Sequence, residues 1–177
     1  MHKFSFKTFQ ELTTERLVLR QLKATDVDAI YSLQSNSEIN RLITREIPKN
    51  IEEARAFILV CHQEYSKQNR IFWVIELQET KQVIGTIAFH NISLNDRYAE
   101  IGYELHPKFH KNGFMNEATN AALDFGIHTA KFYIIEAFTH QNNTASIALL
   151  QKHHFVFQSD RRDEHIENNR IFRLEID

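Results

Sequence analysis

The chain is poor in the residues that break, lock or cross-link a backbone: its 177 residues include two prolines, four glycines and one cysteine. A lone cysteine, Cys61, excludes an intrachain disulfide framework and suits a reducing compartment, so a cytoplasmic location is expected. No proline-rich, glycine-rich or low-complexity linker divides the chain and no internal repeat is visible. Residues 1–177 therefore read as a single domain, long enough to bury one core but short for two. Apolar runs are too short to cross a bilayer, and Met1 to Gln10 interleaves His, Lys, Ser and Phe without the apolar centre of a signal peptide. Neither membrane insertion nor secretion by that route is expected. Charge of one sign is also lacking: 21 Lys and Arg face 23 Asp and Glu, a formal charge of -2. With no basic stripe and no aromatic-basic RNA signature, nothing points to nucleic acid, and any recognition of charge must be local.

What is present is periodicity. Glu15 to Leu22 alternates like a strand. Thr25 and Asp28 have capping-box spacing ahead of the apolar stripe Val27, Ile30, Tyr31, Leu33. Asn50 with Glu53 opens a second helix whose stripe is Ala54, Phe57, Ile58, Cys61 and Tyr65. From Ile71 the period becomes two: Phe72–Leu77, a polar turn, Val83–Phe89, a second turn, then Tyr98–Leu105, an antiparallel meander. A loop reaches Gly113, followed by a helix striped with Met115, Ala118, Ala122 and Phe125. Phe132–Phe138 is the next strand, which makes a βαβ unit and switches the sheet to parallel pairing. A helix from about Thr144 to His153 and two strands near Phe155–Gln158 and Ile171–Ile176 close the chain. The expected fold is α/β (α+β): a mixed, mostly antiparallel sheet of about seven strands with helices on both faces.

The stretch most suggestive of chemistry is Glu104–Ala118, where a strand passes through a loop into a helix. A helix start presents unpaired N–H groups and the positive end of the dipole, which suits a phosphate or pyrophosphate. Gly113 permits close approach of the backbone and Lys111 adds a cation. An ordinary βα connection is the competing account of the same residues.

Several segments together resemble one family. Pro107-Lys-Phe-His-Lys-Asn-Gly-Phe-Met-Asn-Glu-Ala118 resembles the acetyl-CoA pyrophosphate loop of Gcn5-related N-acetyltransferases (GNAT), in the branch of the ribosomal-protein alanine/serine N-terminal (Rim-type) acetyltransferases. Thr14–Arg20, Val83–Ile87, Ala99–Leu105 and Asn143–Phe155 resemble that branch's first, third and fourth strands and last-helix motif, in order, over about 160 residues. The resemblance implies acetyl-CoA contacts at Leu105, His106, His110, Lys111, Asn112, Gly113, Phe114, Met115, Asn143 and Ser146. It also departs from the pattern. Position 111, often Gly, is Lys; the closing Gly-Phe is His154-Phe155; and the tyrosine that many members use as general acid aligns with Leu150, so that role passes to Ser146.

The implied reaction is direct attack of an amine on the thioester in a ternary complex, which needs a base, an oxyanion donor and a proton for the departing thiolate. Glu104 is the candidate base, sharing a strand face with Glu100 and Gly102. The backbone N–H near Leu105 is the oxyanion candidate, and Ser146 serves the thiolate while Asn143 fixes the pantetheine arm. Helix capping by Asn143 or Thr144 is the structural alternative for that pair.

Other groups read as structural. Ten histidines form no ligand set, since Pro107 breaks any helix carrying both His106 and His110, and no metal is expected. Cys61 reads as a packed thiol, and His140 as a turn residue with an alternative role as base. Acceptor recognition is expected from residues 35–49 and the closing hairpin, with Glu38, Glu46, Glu164 and Glu167 as candidate carboxylates. The acceptor is expected to be a protein N-terminal α-amine. A small amine, or a GNAT-fold binding protein without catalysis, are the alternatives, and a homodimer stays open.

Overall fold

A computed structural model describes residues 7–176; the opening residues, expected to lack a signal core, lie mostly outside that range. The elements are β1 (Leu12–Thr13), β2 (Leu17–Gln21), α1 (Val27–Gln34), α2 (Ser37–Asn40), α3 (Ile51–Ser66), β3 (Ile71–Leu77), β4 (Val83–Ser93), β5 (Tyr98–Leu105), α4 (Phe114–Asp124), β6 (Ile134–His140), α5 (Thr144–Lys152), β7 (Val156–Phe157) and β8 (Asn169–Glu175). They build one sheet in the order β1-β2-β3-β4-β5-β6-β8-β7. All neighbours are antiparallel except β5 and β6. Eight strands form rather than about seven because Leu12 and Thr13 pair with Leu19 and Val18.

Strand alternation divides the apolar residues between two cores. Ile71, Trp73 and Ile75 of β3 join Ile87, Phe89, Ala118, Ala122, Phe125 and Leu150 on one face. Val74, between them, joins Leu22, Ile30, Ala54, Ile58 and Cys61 on the other. Helices α4 and α5 therefore cover one face and α1 and α3 the opposite one. Trp73 centres the larger core, edge-on to Phe89 and Phe125 at 6.0 and 5.3 Å, with its indole N–H donating to the Gln10 carbonyl at 2.8 Å.

Local signals account for most helix ends. The Asn50 side chain accepts from Glu53 N, and Glu53 in turn accepts from Lys49 N, which seals the start of α3. At α1 the capping differs from expectation. Asp26, not Thr25, closes the turn: its carboxylate accepts from Lys23 N and pairs with the buried Arg20, which a strand-spaced residue supplies from outside the local pattern. A short helix, α2, appears where the sequence suggested only a polar loop, capped by Asn36 on Glu38 N and Ile39 N.

The parallel pairing of β5 with β6 is short, limited to Tyr98–Ile134, Ala99–Ile135 and Glu100–Glu136. Beyond these, each strand continues without the other. The wedge between them is held at its closed end by Glu136, which is 1% exposed and receives hydrogen bonds from Arg161, Arg173 and Tyr98. Burial pushes the Glu136 carboxyl up, but these donors outweigh it and hold it below the usual carboxylate range.

Candidate functional site

The open end of the wedge faces the loop before α4. His106 N donates to Ile84 O at 2.8 Å across to β4, so alternation turns the Leu105 N–H the other way, toward the edge that β6 has left. At α4 the first intrahelical bond runs from Glu117 N to Gly113 O at 3.0 Å, and the Gly113 N-cap offers no side chain. The amides of Phe114, Met115 and Asn116 therefore lack intrahelical partners and, with the dipole, form an anion-binding end. Gly113 is left-handed, with φ 80°.

Arg16 holds this loop in place. It donates to Asn112 O at 3.0 Å and to Glu117 at 2.7 Å, and lies 4.4 Å over the Phe114 ring. Thr14 Oγ1 donates to the other Glu117 oxygen. Partial burial pushes the Glu117 carboxyl up, but Thr14 and Arg16 outweigh it and hold it low. The only acidic group in the first turn of α4 is thus already neutralised. No local pattern reveals this clamp, because Arg16 and Glu117 are 101 residues apart.

A cavity of about 350 Å³ lies over the loop. Of the residues expected to contact the donor, it gathers Leu105, His110, Lys111, Gly113, Phe114, Met115, Asn143 and Ser146, together with Glu104. Two of the set lie elsewhere. Asn112 is the carbonyl held by Arg16. His106 caps the short turn Pro107–Phe109 by accepting from Lys108 N and lines an adjoining depression. His110 reaches back to Leu105 O at 2.9 Å. Asn116 also lines this cavity, and its Oδ1 is buried without a partner.

Across the same open mouth of the wedge, past the end of β6, α5 begins. Asn143 Oδ1 accepts from Ser146 N, so Asn143 does cap the helix. Ser146 does not: its hydroxyl instead lies 2.9 Å from the Tyr103 hydroxyl. Burial pushes the Tyr103 phenol up to about 12, so it stays protonated at neutral pH. Leu150, at the position that aligns with the family tyrosine, is 1% exposed in the core. A phenol therefore enters the cleft from β5 rather than from α5, which helical spacing along α5 gives no means of finding.

Glu104 lies on the sheet face opposite Tyr103 and borders a second cavity, of about 780 Å³. It is 9% exposed. Thr86 Oγ1 lies 3.4 Å from one of its oxygens, and Arg45 Nη2 meets the other at 2.6 Å as an ion pair without hydrogen-bond alignment. Arg45 is itself held by Asn40 Oδ1 at 2.8 Å. Ile43, Tyr103 and Glu104 line both cavities, so the two meet there. Of the acidic residues expected around the acceptor, Glu38 and Glu46 border these cavities and Glu164 and Glu167 do not.

Remaining candidates fall outside both cavities. Cys61 is packed in the α3 core, where burial pushes its thiol up to about 11. His140 accepts from Asn142 N at the end of β6. Among the described residues no group of three or more His, Cys, Asp or Glu is placed to hold a metal, and no helix is long and apolar enough to cross a membrane.

Residues 16–156 match the family model described as an acetyltransferase (GNAT) domain. An uncharacterized N-acetyltransferase of Bacillus subtilis, YoaA, is 38% identical over 144 residues, 81% of each chain. Among solved structures, RimL, a ribosomal L7/L12 α-N-protein acetyltransferase in complex with coenzyme A, has a TM-score of 0.82 at 17% identity, covering 94% of this chain and 98% of that one. The microcin C7 self-immunity acetyltransferase MccE, in complex with acetyl-CoA and AMP, has a TM-score of 0.78 at 17% identity, over 92% and 94%. At these identities the two structures share the fold.

Proposed function

The chain belongs to the GNAT acetyltransferase family and is an N-acetyltransferase of that type, and we propose that it moves the acetyl group of acetyl-CoA to a primary amine held beside Glu104. The observation that carries this reading is the meeting of two cavities at Tyr103 and Glu104, one lined by the free N-terminus of α4 and the other large enough for an acceptor.

In this reading the pyrophosphate lies on the amides of Phe114, Met115 and Asn116, with Lys111 as a nearby cation. The acyl group then reaches toward the open edge of β5. Glu104, through water or directly, takes a proton from the acceptor ammonium, and the freed amine attacks the thioester carbonyl. The C–N bond forms, and the Leu105 N–H stabilises the oxyanion. As the C–S bond breaks, Ser146 Oγ–H donates to the developing thiolate. Tyr103, donating to the Ser146 oxygen, leaves the serine proton free for sulfur. After attack the nitrogen loses a second proton, which restores the one Ser146 gives to sulfur, so CoA leaves as the thiol and the first proton, taken by Glu104, passes to solvent. The Arg45 ion pair competes with the incoming ammonium for Glu104, so acceptor binding shifts this arginine.

The acceptor is a protein N-terminal α-amine in the first reading, supported by the Rim-type neighbours that share the fold. A small free amine is the second, favoured by a cavity of small-molecule size lined by residues 43–48. Calorimetric titration with acetyl-CoA, and separately with CoA, tests the donor site. Saturable binding of both is expected. No binding at high ligand concentration refutes the donor reading and leaves a GNAT fold without catalysis.

A further inference from the structure

The acceptor cavity has a floor with two unlike ends. On β4 and β5, Thr86, Ala88 and His90 stand opposite Glu104, Gly102 and Glu100. The middle pair, Ala88 and Gly102, carries almost no side chain and leaves a trough. At one end lies Glu104. At the other, the His90 ring leans over Gly102, its Nε2 3.3 Å from where a Cβ would stand, and its Nδ1 is 3.5 Å from Glu100. Beside it comes Arg70: Ile71 pairs with Phe89, so the residue before β3 falls next to His90.

Arg70 differs from the other half-buried arginines. Arg45, Arg161, Arg170 and Arg173 all have oxygen partners. Among the described residues Arg70 has no carboxylate within ion-pair range, and its hydrogen-bond partner is the Cys61 thiol at 3.9 Å. That thiol is buried and neutral, so it compensates no charge. Arg45, the other cation of this cavity's interior, is paired with Glu104 before an acceptor arrives and stands at the amine end of the trough. Glu64 lies near enough to feel the Arg70 charge, but its oxygens are taken by Lys67 and Asn69, so this half-buried guanidinium has no carboxylate in contact, and one arriving at it gains charge-assisted, bidentate hydrogen bonds.

We infer that Arg70 is an anion-binding subsite of the acceptor cleft, so that the acceptor is a primary amine carrying a carboxylate at the far end of the trough. This rests on the reading of Glu104 as the end that meets the amine. Four residues of strand separate Glu104 from Glu100, about 13 Å at the usual rise, and the reach of the side chains from both ends shortens the span to about 6–10 Å. A bare α-amino acid is too short for that span. An acidic residue at the second or third position of a peptide fits it, and so does a small ω-amino acid.

The test compares matched acceptors in steady-state acetylation: Ser-Asp-Ala-Ala-amide against Ser-Asn-Ala-Ala-amide, and δ-aminovalerate against its amide. The acid of at least one pair is expected to have a kcat/KM about tenfold or more above its neutral partner, the size of a hydrogen bond to a charged group. Discrimination in the peptide pair identifies a protein N-terminus as the source, and in the other pair a small molecule. Arg70→Gln should abolish the preference without changing acetyl-CoA affinity, and Arg70→Lys should restore part of it. Equal rates for acid and amide in both wild-type pairs overturn the subsite, a result that requires no variant to fold. So does a preference that survives Arg70→Gln, or the absence of turnover with all four acceptors while acetyl-CoA binds. Absence of acetyl-CoA binding instead removes the donor reading, and the subsite falls with it.

Discussion

Replacing His154 by glycine should stabilise this protein although it removes a side chain. His154 lies just past the C-cap of α5 with φ 64°, the left-handed region that L side chains resist. Its N–H donates to Gln151 O at 3.0 Å and the next N–H, from Phe155, to Leu150 O at 3.0 Å, the paired bonds of a Schellman ending. Phe155 and Leu150 are both buried, at 3% and 1% exposure, so the core holds the turn whatever residue occupies position 154. A side chain in this conformation costs about 1–2 kcal/mol, and the greater unfolded-state freedom of glycine returns about 0.4–1 kcal/mol of the gain. The His154 ring is exposed, so little packing is lost. The net expectation for His154→Gly is about 0.5–1 kcal/mol of added stability, or a Tm raised by about 2–3 °C in a chain of this size. Urea and thermal unfolding measure it, with His154→Ala as the control, because alanine keeps the strained conformation. A glycine variant no more stable than the alanine variant refutes the backbone explanation.

Three further outcomes bear on the reaction. Gly113→Val places a β-branched residue at a φ of 80° and should weaken acetyl-CoA binding at least tenfold by disturbing the start of α4; unchanged affinity in a calorimetric titration removes the loop from the donor site. Glu104→Gln should lower kcat by about 100-fold, within the usual span of a lost general base, with donor affinity preserved; a wild-type rate at every pH clears Glu104 of that role. Tyr103→Phe and Ser146→Ala should each lower kcat by about tenfold while leaving the KM for acetyl-CoA unchanged, and the double variant should be no worse than either single one; additive losses show that the two hydroxyls act independently.

The pyrophosphate loop illustrates how far local reading reaches. Strand, Gly113 and apolar helix stripe are consecutive, and the physics of a helix start depends only on neighbouring residues, so the frame is legible in the sequence. Two departures from the family pattern also gain an explanation. Lys111 and His154 occupy positions where glycine was expected, and both backbones are left-handed, with φ 62° and 64°. The Arg16 clamp, the Arg45–Glu104 ion pair and the Tyr103–Ser146 contact are not legible there, since each joins groups far apart in the chain whose meeting depends on sheet order.

By itself the sequence determined the hydrophobic periods, the cap at Asn50, the start of the last helix at Asn143 or Thr144 and the strand-to-helix loop, because these depend on interactions over a few residues. Tertiary structure alone decided which polar groups meet. The parting of β5 from β6 after three pairs opens the cleft, turns the Leu105 amide to its edge and brings a phenol from β5 to a serine of α5. The pairing of β3 with β4 sets an arginine with no ion-pair partner among the described residues at the end of a trough. Burial makes such contacts consequential, because a charge or hydroxyl withdrawn from water must find its partner in the protein or in a ligand.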